Sequence, residues 1–343
     1  MSSNRNINSS EIAKIAGVSR STVSKVINNY PDIPEKTRKK VLDAISDHNY
    51  KPNRFASVLK GIPQKVIALY IHTTSNDTAD GHMNNLDSAY MMGVVSNFIM
   101  ATKQHDHSLL VEMIHEDEDA AEVESRIRDN FNSKSICAAV FVGLTDNSLF
   151  IDNLVESGYN IASIDRNVSQ EHAAINVTTD DEGGAYRAAK HLAENGFSHI
   201  AFIGGDETKL SARSREDGYK RAATEYGMTP VVIGCGYSEK LGSLAVNRFV
   251  ELSEIDALVC ASDAIAHGFI GKMREIDSNR LDGIGLIGFE NIAFNDYQNP
   301  SLSSVAIDYQ QMANDTVESL LKPEKAVKVC VNTELIVRDS SMQ

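Results

Sequence analysis

Tryptophan is absent from these 343 residues, cysteine occurs only four times, and no apolar run approaches the length of a membrane span. Each scarcity closes off a class of protein. Without tryptophan, stacking on a bound ring falls to tyrosine or phenylalanine. Cys137, Cys235, Cys260 and Cys330 are scattered and never form a CxxC pair. Each lies in or beside a predicted apolar strand, so buried thiols are expected rather than zinc ligands. The polar N-terminus has no apolar signal core, so the expectation is a cytoplasmic protein with no membrane partner. Histidines come nearest to clustering at His105, Asp106 and His107, in a turn between a predicted helix and strand, where a solvated turn outweighs a metal site. HExxH, GxSxG and GKS or GKT are all missing, and GGDETK at 204–209 only imitates a phosphate loop. Gly283, Gly285 and Gly288 satisfy GxGxxG, but they run into a strand instead of opening a helix. No nucleophile is paired with a base, so the chain is expected to be no enzyme and to need no cofactor.

What is present begins at residue 8. Asn8 with Glu11 three positions on forms a capping box, Ile12, Ala13, Ile15 and Ala16 follow at helical spacing, and Gly17 supplies a left-handed helix end. Val18 fills a turn, Ser19 can cap the next helix, and Val23, Val26 and Ile27 give that helix one apolar face. Arg20, Ser21 and Lys25 point to its other face, near its N-terminal half, where the second helix of a helix-turn-helix meets base edges in the major groove. Ser19, Thr22, Ser24 and Asn28 are short donors that can hold phosphate oxygens. Pro34 and Glu35 suit the first turn of a third helix, and Val41, Leu42 and Ile45 are expected to complete a small three-helix core.

Charge supports this reading over a merely structural helix pair. Residues 1–61 hold eleven Lys or Arg against five Asp or Glu, net +6, whereas the remainder holds twenty-two against forty-two, net −20. An acidic body repels DNA phosphates, and a basic head is drawn to them through counterion release.

The run from Ile7 to Gly61, with IAKIAGVSRSTVSKVIN, TRKKVLDAI and NYKPNRFASVLKG, resembles the head of the LacI/GalR family of bacterial transcription regulators. The resemblance implies base reading by Arg20, Ser21 and Lys25. It also implies a hinge helix over Asn53, Ala56, Leu59 and Lys60, with Leu59 as a minor-groove wedge. On residue type alone Leu59 could equally belong to a core. Pro34 departs from the pattern, since the family usually places a serine-like cap there.

After Gly61 short apolar runs alternate with helical stretches: KVIALYI, LDSAYMMGVVSNFIMAT, SLLVEMI, AAEVESRIRDNF and ICAAVFVGL, then IASID, AYRAAKHLAENG, HIAFIGG, PVVIG, LAVNRFVEL, DALVCAS and IGLIGFE. That alternation predicts an α/β body with parallel sheets and right-handed crossovers. Ligands in such sheets bind beyond the carboxyl ends of strands, which here are polar. The acidic stretch EDEDAAEVE at 116–124 is most simply the charged start of a helix.

The family resemblance implies two periplasmic-binding-protein-like lobes with an effector cleft between them. The chain is expected to cross near Ser163 to Asn167, Asn291 to Asp296 and Lys322 to Lys325. The expected organisation is a head at 1–61, a first lobe at 62–163 plus 294–323, and a second lobe at 164–293 plus 324–343. Arg215 in SARSREDGY matches the family's cleft arginine and Asp165 its cleft aspartate. Tyr237 falls near an aromatic position, Ser262 stands where some members have asparagine, and Glu290 where aspartate is usual. With Thr74 these form the expected effector set, an Arg donor fork and carboxylate acceptors suited to a sugar or polyol. Tyr237, Phe289 and Phe294 would stand in for tryptophan, and the polar loop His72 to Asn85 is a candidate cover for the cleft mouth. On sequence alone Arg215 fits a charged helix face or a cleft ion pair equally well. The expectation is a repressor that binds a near-palindromic operator as a homodimer under control of a sugar-like effector. The alternative is a regulator with a vestigial cleft that answers to a protein partner.

Overall fold

The computed structural model describes residues 7–27, 30–48, 50, 63–74, 88–166, 174–234, 236–322 and 328–342. They form two compact units, Met1–Gln64 and Lys65–Gln343. Asn28, Asn53, Ala56, Leu59 and Lys60 lie outside the described residues.

The first unit holds α1 (Ser9–Ala16), α2 (Arg20–Ile27) and α3 (Glu35–Asp47). Its local signals act as the chemistry dictates. The Asn8 side chain accepts from the Ser10 and Glu11 amides at 2.9 and 3.1 Å, and Glu11 accepts the Asn8 amide at 2.8 Å. Gly17 takes φ 66° at the end of α1, a left-handed conformation that costs glycine nothing. The Ser19 hydroxyl accepts the Thr22 amide at 3.1 Å and so caps α2. Pro34 sits one residue outside α3, at its N-cap, where its carbonyl accepts the Thr37 and Arg38 amides at 2.9 Å each.

Ile12, Ala13, Val23, Val26, Val41 and Ala44 make the buried core of this unit. The four larger side chains each contribute roughly 1.5–3 kcal/mol, so a core of this size leaves little margin. Leu42, expected inside, is 48% exposed. Val41, Ala44 and Ile45 already form the i, i+3, i+4 stripe that faces α1 and α2, and one further step of helix turns Leu42 outward.

The second unit contains two six-stranded sheets of matching topology. Sheet 1 has the order β11-β5-β4-β3-β1-β2 and sheet 2 the order β12-β10-β9-β8-β6-β7. The strands of sheet 1 are β1 (Val66–Thr73), β2 (Ser108–His115), β3 (Ala138–Val142), β4 (Ile161–Ile164), β5 (Ile175–Thr179) and β11 (Lys328–Val331). Those of sheet 2 are β6 (Ile200–Ile203), β7 (Val231–Ile233), β8 (Ala257–Cys260), β9 (Gly285–Glu290), β10 (Ser303–Ile307) and β12 (Thr333–Ile336). All pairings are parallel except β10 with β12. The helices of lobe 1 are α4 (Ala89–Gln104), α5 (Ala120–Asn132), α6 (Phe150–Glu156) and α11 (Tyr309–Leu321). The longer helices of lobe 2 are α7 (Asp181–Glu194), α8 (Leu210–Glu225), α9 (Glu239–Glu251) and α10 (Asp263–Ile276).

Sheet 1 is covered on both faces. Ile67, Leu69 and Ile71 of β1 join one core cluster, and Ala68 and Tyr70 join a second with α5 and α6. Alternate side chains thus enter opposite layers, as burial on both faces of a parallel sheet requires.

The chain crosses between sheets at Asp180, Asp308 and Asn332, each later than the boundaries expected near 163, 293 and 323. The reason is three strands with no continuous apolar run. INVTT in β5, SSVAI in β10 and KVCV in β11 all pair in parallel with a neighbour, and Asn176, Thr179, Ser303 and Ser304 are buried there despite their polarity. Two crossings are stitched side by side. Arg187 donates to Asp180 at 3.0 Å and to the Thr333 carbonyl and hydroxyl at 2.8 and 2.6 Å, and the Thr333 hydroxyl donates to the Asp180 carbonyl at 2.9 Å.

The literal GxGxxG lies in and before β9. A Cβ on Gly288 would come within 2.0 Å of the Asp263 carboxylate, so this glycine is there for close packing, not for a phosphate.

Candidate DNA-reading helix and effector cleft

On α2 the candidate base readers are exposed but already engaged. Arg20 donates to the Ser9 hydroxyl at 3.1 Å, and Ser21 and Thr22 share hydrogen bonds with the Ser19 hydroxyl at 2.7 and 2.8 Å. Lys25 pairs with Asp32 at 2.6 Å, and the hydrogen bond between them raises the ammonium pKa and lowers that of the carboxylate. An exposed pair of this kind is weak, so it can open when a phosphate or a base edge competes for the ammonium. Ser24 lies on the same helix, one residue before Lys25.

In the second unit the carboxyl ends of β4 and β9 carry the chemistry. Asp165, Glu290 and Asn291 have φ of 58°, 103° and 53°, three of the five non-glycine residues with positive φ among those described. Holding such backbone costs of order 1–3 kcal/mol per residue and is typical of ligand-binding loops. Asp165 accepts the Tyr90 hydroxyl at 3.2 Å, and the Tyr90 and Tyr309 rings meet edge-on at 5.8 Å. Both tyrosines come from lobe 1, at the starts of α4 and α11.

Arg215 on α8 is 3% exposed. Its Nε donates to Asp181 at 2.7 Å, its Nη1 donates to the Ala261 carbonyl at 2.6 Å, and its plane stacks on Phe289 at 3.8 Å. Glu290 stands 4.0 Å from Nη1, beyond a hydrogen bond. Asp181 also accepts the Thr179 hydroxyl at 2.5 Å. The ion pair that sequence left open as a rival is therefore formed, and Arg215 serves the packing of lobe 2. Tyr237 lies against Gly205, where a Cβ would meet its ring at 2.4 Å, and the Lys209 ammonium is 5.5 Å from the ring centre.

These groups perturb one another. Burial raises the Asp165 carboxyl to about 7, with repulsion from Asp181 adding to it and Arg215, Tyr90 and Lys209 opposing it. Burial raises Glu290 to about 8 against the pull of Arg215, with Asp263 and Asp181 adding repulsion. Burial alone would lower Arg215, but Asp181, Tyr237 and Glu290 together raise it further. Burial also drives the phenols of Tyr90, Tyr237 and Tyr309 upward. The Tyr237 and Tyr309 hydroxyls and Asn291 Oδ1 are buried without a hydrogen-bond partner. Unpaired polar atoms are costly in a protein interior and common where a ligand will pair them.

Other expected cleft residues differ. Ser262 is buried, and its hydroxyl accepts the Ile265 amide at 3.2 Å, so it caps α10. Thr74 is buried directly after β1. Phe289 lies beneath Arg215, while Phe294 is 57% exposed and packs edge-on to His267 at 5.4 Å, away from any stacking role. Residues 75–85 of the candidate cover loop lie outside the described residues. Tyr90, Tyr309 and Asp181 were not singled out by sequence. The available signal was an aromatic residue at the start of a helix that follows a strand, as in SAYMMG and IDYQQM. Behind the cleft, Asp263 accepts from Ser304 at 2.7 Å, the Ile292 amide at 2.9 Å and Asn295 at 2.8 Å, and burial raises its carboxyl to about 6.

Residues 10–53 match the model for bacterial regulatory proteins of the lacI family, and residues 189–341 match a periplasmic binding protein-like domain. The chain belongs to the LacI family of bacterial transcription regulators. Its relatives include a probable HTH-type transcriptional repressor ExuR of Bacillus subtilis, 29% identical over 96% of this chain and 97% of that protein. Another is the HTH-type transcriptional regulator MalR of Clostridium butyricum, 27% identical over 97% and 99%. Among solved structures, a Lac repressor dimer bound to operator and the anti-inducer ONPF matches with TM-score 0.79 and 21% identity over 99% of this chain and all of that one. A CelR–cellobiose complex matches with TM-score 0.70 and 21% identity over 97% and 99%. LacI membership makes the chain a sequence-specific DNA-binding transcription regulator, with a helix-turn-helix head and a two-lobed α/β body. The relatives are regulators rather than enzymes. Among the described residues no helix is long and apolar enough to cross a membrane, and no three metal-ligating side chains converge.

Proposed function

We propose that this LacI-family regulator is a cytoplasmic repressor that grips a near-palindromic operator as a homodimer and is controlled by a sugar-like effector held between its lobes. Arg20, Ser21 and Lys25 read bases, and Ser19, Thr22, Ser24 and Asn28 hold phosphates. The hinge role expected for Asn53, Ala56, Leu59 and Lys60 is part of the same reading.

The observation that carries the effector assignment is the buried polar set contributed by both lobes. Tyr90, Tyr309 and Asp165 stand on one side, and Arg215, Tyr237, Glu290 and Asn291 on the other, with three polar atoms unpaired. A core gains nothing from such a set, whereas a molecule rich in hydroxyls pairs with all of it. A fold neighbour solved as a cellobiose complex agrees with that class. Mechanically, an effector that favours one lobe arrangement tenfold shifts the equilibrium by about 1.4 kcal/mol, and the operator affinity must change by the reciprocal coupling.

The test is to select bound DNA from a random pool with the full chain, then follow operator binding by fluorescence anisotropy while sugars are added. An inverted repeat whose affinity changes with one sugar supports the reading. Enrichment of no repeat removes the operator assignment, and an affinity unmoved by any sugar removes the effector assignment.

A further inference from the structure

The head places one acid where a DNA-binding surface has least use for it. Residues 1–61 hold five Asp or Glu. Glu11 completes the capping box of α1, Glu35 opens α3, and Asp43 and Asp47 lie along α3. Asp32 instead meets α2, the helix that carries the candidate base readers, and accepts the Lys25 ammonium at 2.6 Å.

The loop makes this contact, not helical spacing, since the partners lie seven residues apart. The Tyr30 amide donates to the Lys25 carbonyl at 3.0 Å, and Arg38 on α3 donates to the Tyr30 carbonyl. The Lys25 ammonium also lies 6.0 Å from the centre of the Tyr30 ring. Ile33 packs against the buried core of the head, and Pro31 restricts the backbone just before Asp32. Asp32 is thus anchored at Lys25 from both sides, although the two side chains are about half exposed.

Two kinds of DNA contact make different demands on Lys25. A phosphate takes lysine as a point charge, and the gain is counterion release. Lys25 and Asp32 together are neutral. On bulk DNA, Lys25 either stays with Asp32 and gains little, or leaves it and sets a bare carboxylate near the phosphates. A guanine edge asks for donors instead, at O6 and N7. An ammonium has three N–H groups, so Lys25 can keep one on Asp32 and turn two to guanine. Specificity is the difference between those two affinities. We infer that Asp32 is a specificity-determining residue of the head: it stays bonded to Lys25 on the operator, suppresses the contribution of Lys25 to bulk-DNA binding, and so sharpens the reading of one guanine. The inference rests on the base-reading role proposed for Lys25.

The test compares the full chain with Asp32→Asn, Asp32→Ala, Lys25→Ala and the double variant Lys25→Ala with Asp32→Asn. Fluorescence anisotropy across a salt series measures binding to the inverted repeat that the parent selects and to a scrambled duplex of the same length. Both Asp32 variants should bind both duplexes more tightly, the scrambled one by more, so that the ratio of affinities falls at least threefold. Their salt dependence on the scrambled duplex should steepen by about one phosphate contact. Replacing the guanine that Lys25→Ala no longer discriminates should weaken the Asp32 variants less than the parent. Without Lys25, Asp32→Asn should leave the ratio unmoved. An unchanged or raised ratio in the single Asp32 variants overturns the inference, and so does an equal fall in the Lys25→Ala background, which would show Asp32 acting apart from Lys25. If the parent enriches no repeat, or Lys25→Ala enriches the same one, the base-reading role of Lys25 is lost and this inference falls with it.

Discussion

Replacing Arg215 by alanine should destabilise the larger unit far more than the loss of one ligand contact would suggest. Arg215 and Asp181 are 3% and 4% exposed and meet at 2.7 Å, so the change strands a buried carboxylate. Breaking a buried pair from one side typically costs about 3–5 kcal/mol. The Ala261 carbonyl loses its donor and Phe289 its stacked partner, which places the cost toward the upper end. At about 2–4 °C per kcal/mol for domains of 150–250 residues, the melting transition should fall by roughly 6–20 °C. Arg215→Met combined with Asp181→Leu removes both charges together and should recover much of the loss. Recovery is incomplete because the Thr179 hydroxyl and the Ala261 carbonyl stay without partners, at about 1–3 kcal/mol each when buried. The assay is calorimetric melting of the full chain, following the transition of the larger unit. A fall of under about 2 °C for the single variant, or a double variant no better than the single one, would refute the buried-pair account.

Three further outcomes are expected. Asp165 and Glu290 bind protons more tightly folded, near 7 and 8, than at their ordinary values of 3.8 and 4.5. Folding then takes up protons, so their contribution to stability declines as pH rises from about 4 to about 8 and levels off above. Asp165→Asn with Glu290→Gln should flatten that decline in melting curves run across pH, and an unchanged slope would mean the carboxyls titrate normally. The Asp146 side chain pairs with Arg213 across the lobes at 2.8 Å, so Asp146→Ala should speed effector release several-fold in stopped flow, while equal rates would show that the contact does not hold the lobes together. Asp32→Ala frees Lys25 and removes a negative charge from the head; operator affinity should rise by a fewfold and head stability should move by under about 0.5 kcal/mol, and a drop in affinity would mean the pair positions Lys25 for its contact.

The head was largely legible because its signals are local. A cap and its partner three residues on, a glycine at a helix end and an apolar stripe all act within one or two turns. Leu42 was misplaced because Val41 beside it is equally apolar, and only the packed neighbours decide which of the two faces inward. The alternation of strands and helices exposed the fold class of the body. It hid β5 and β10, whose buried Asn, Thr and Ser side chains break the apolar runs that mark a strand, and β11, a short run opened by Lys328 and mostly unburied. The cleft was legible only in part. Asp165, Arg215, Tyr237 and Glu290 do come together, but what each does depends on partners far along the chain. Asp181 lies 34 residues from Arg215, Tyr90 lies 75 from Asp165, and Tyr309 arrives with the last helix. Ser262 was expected in the effector set, and the backbone amide three residues on claims it instead.

The threefold passage between sheets constrains how the chain can be made. Sheet 1 gains its edge strand β11, and sheet 2 its edge strand β12, only from residues 328–336. A ribosome will therefore have built the DNA-reading head and most of both lobes before either sheet can close. At roughly 5–20 residues per second β5 waits roughly 7–30 s for β11 and β10 roughly 1–6 s for β12, each open on one side to the wrong neighbour. A frameshift or early stop before residue 328 would leave both lobes frayed at once. Cellular proteases and chaperones would meet a molecule with two bare sheet edges, and no intact single-lobed fragment would be left to occupy an operator.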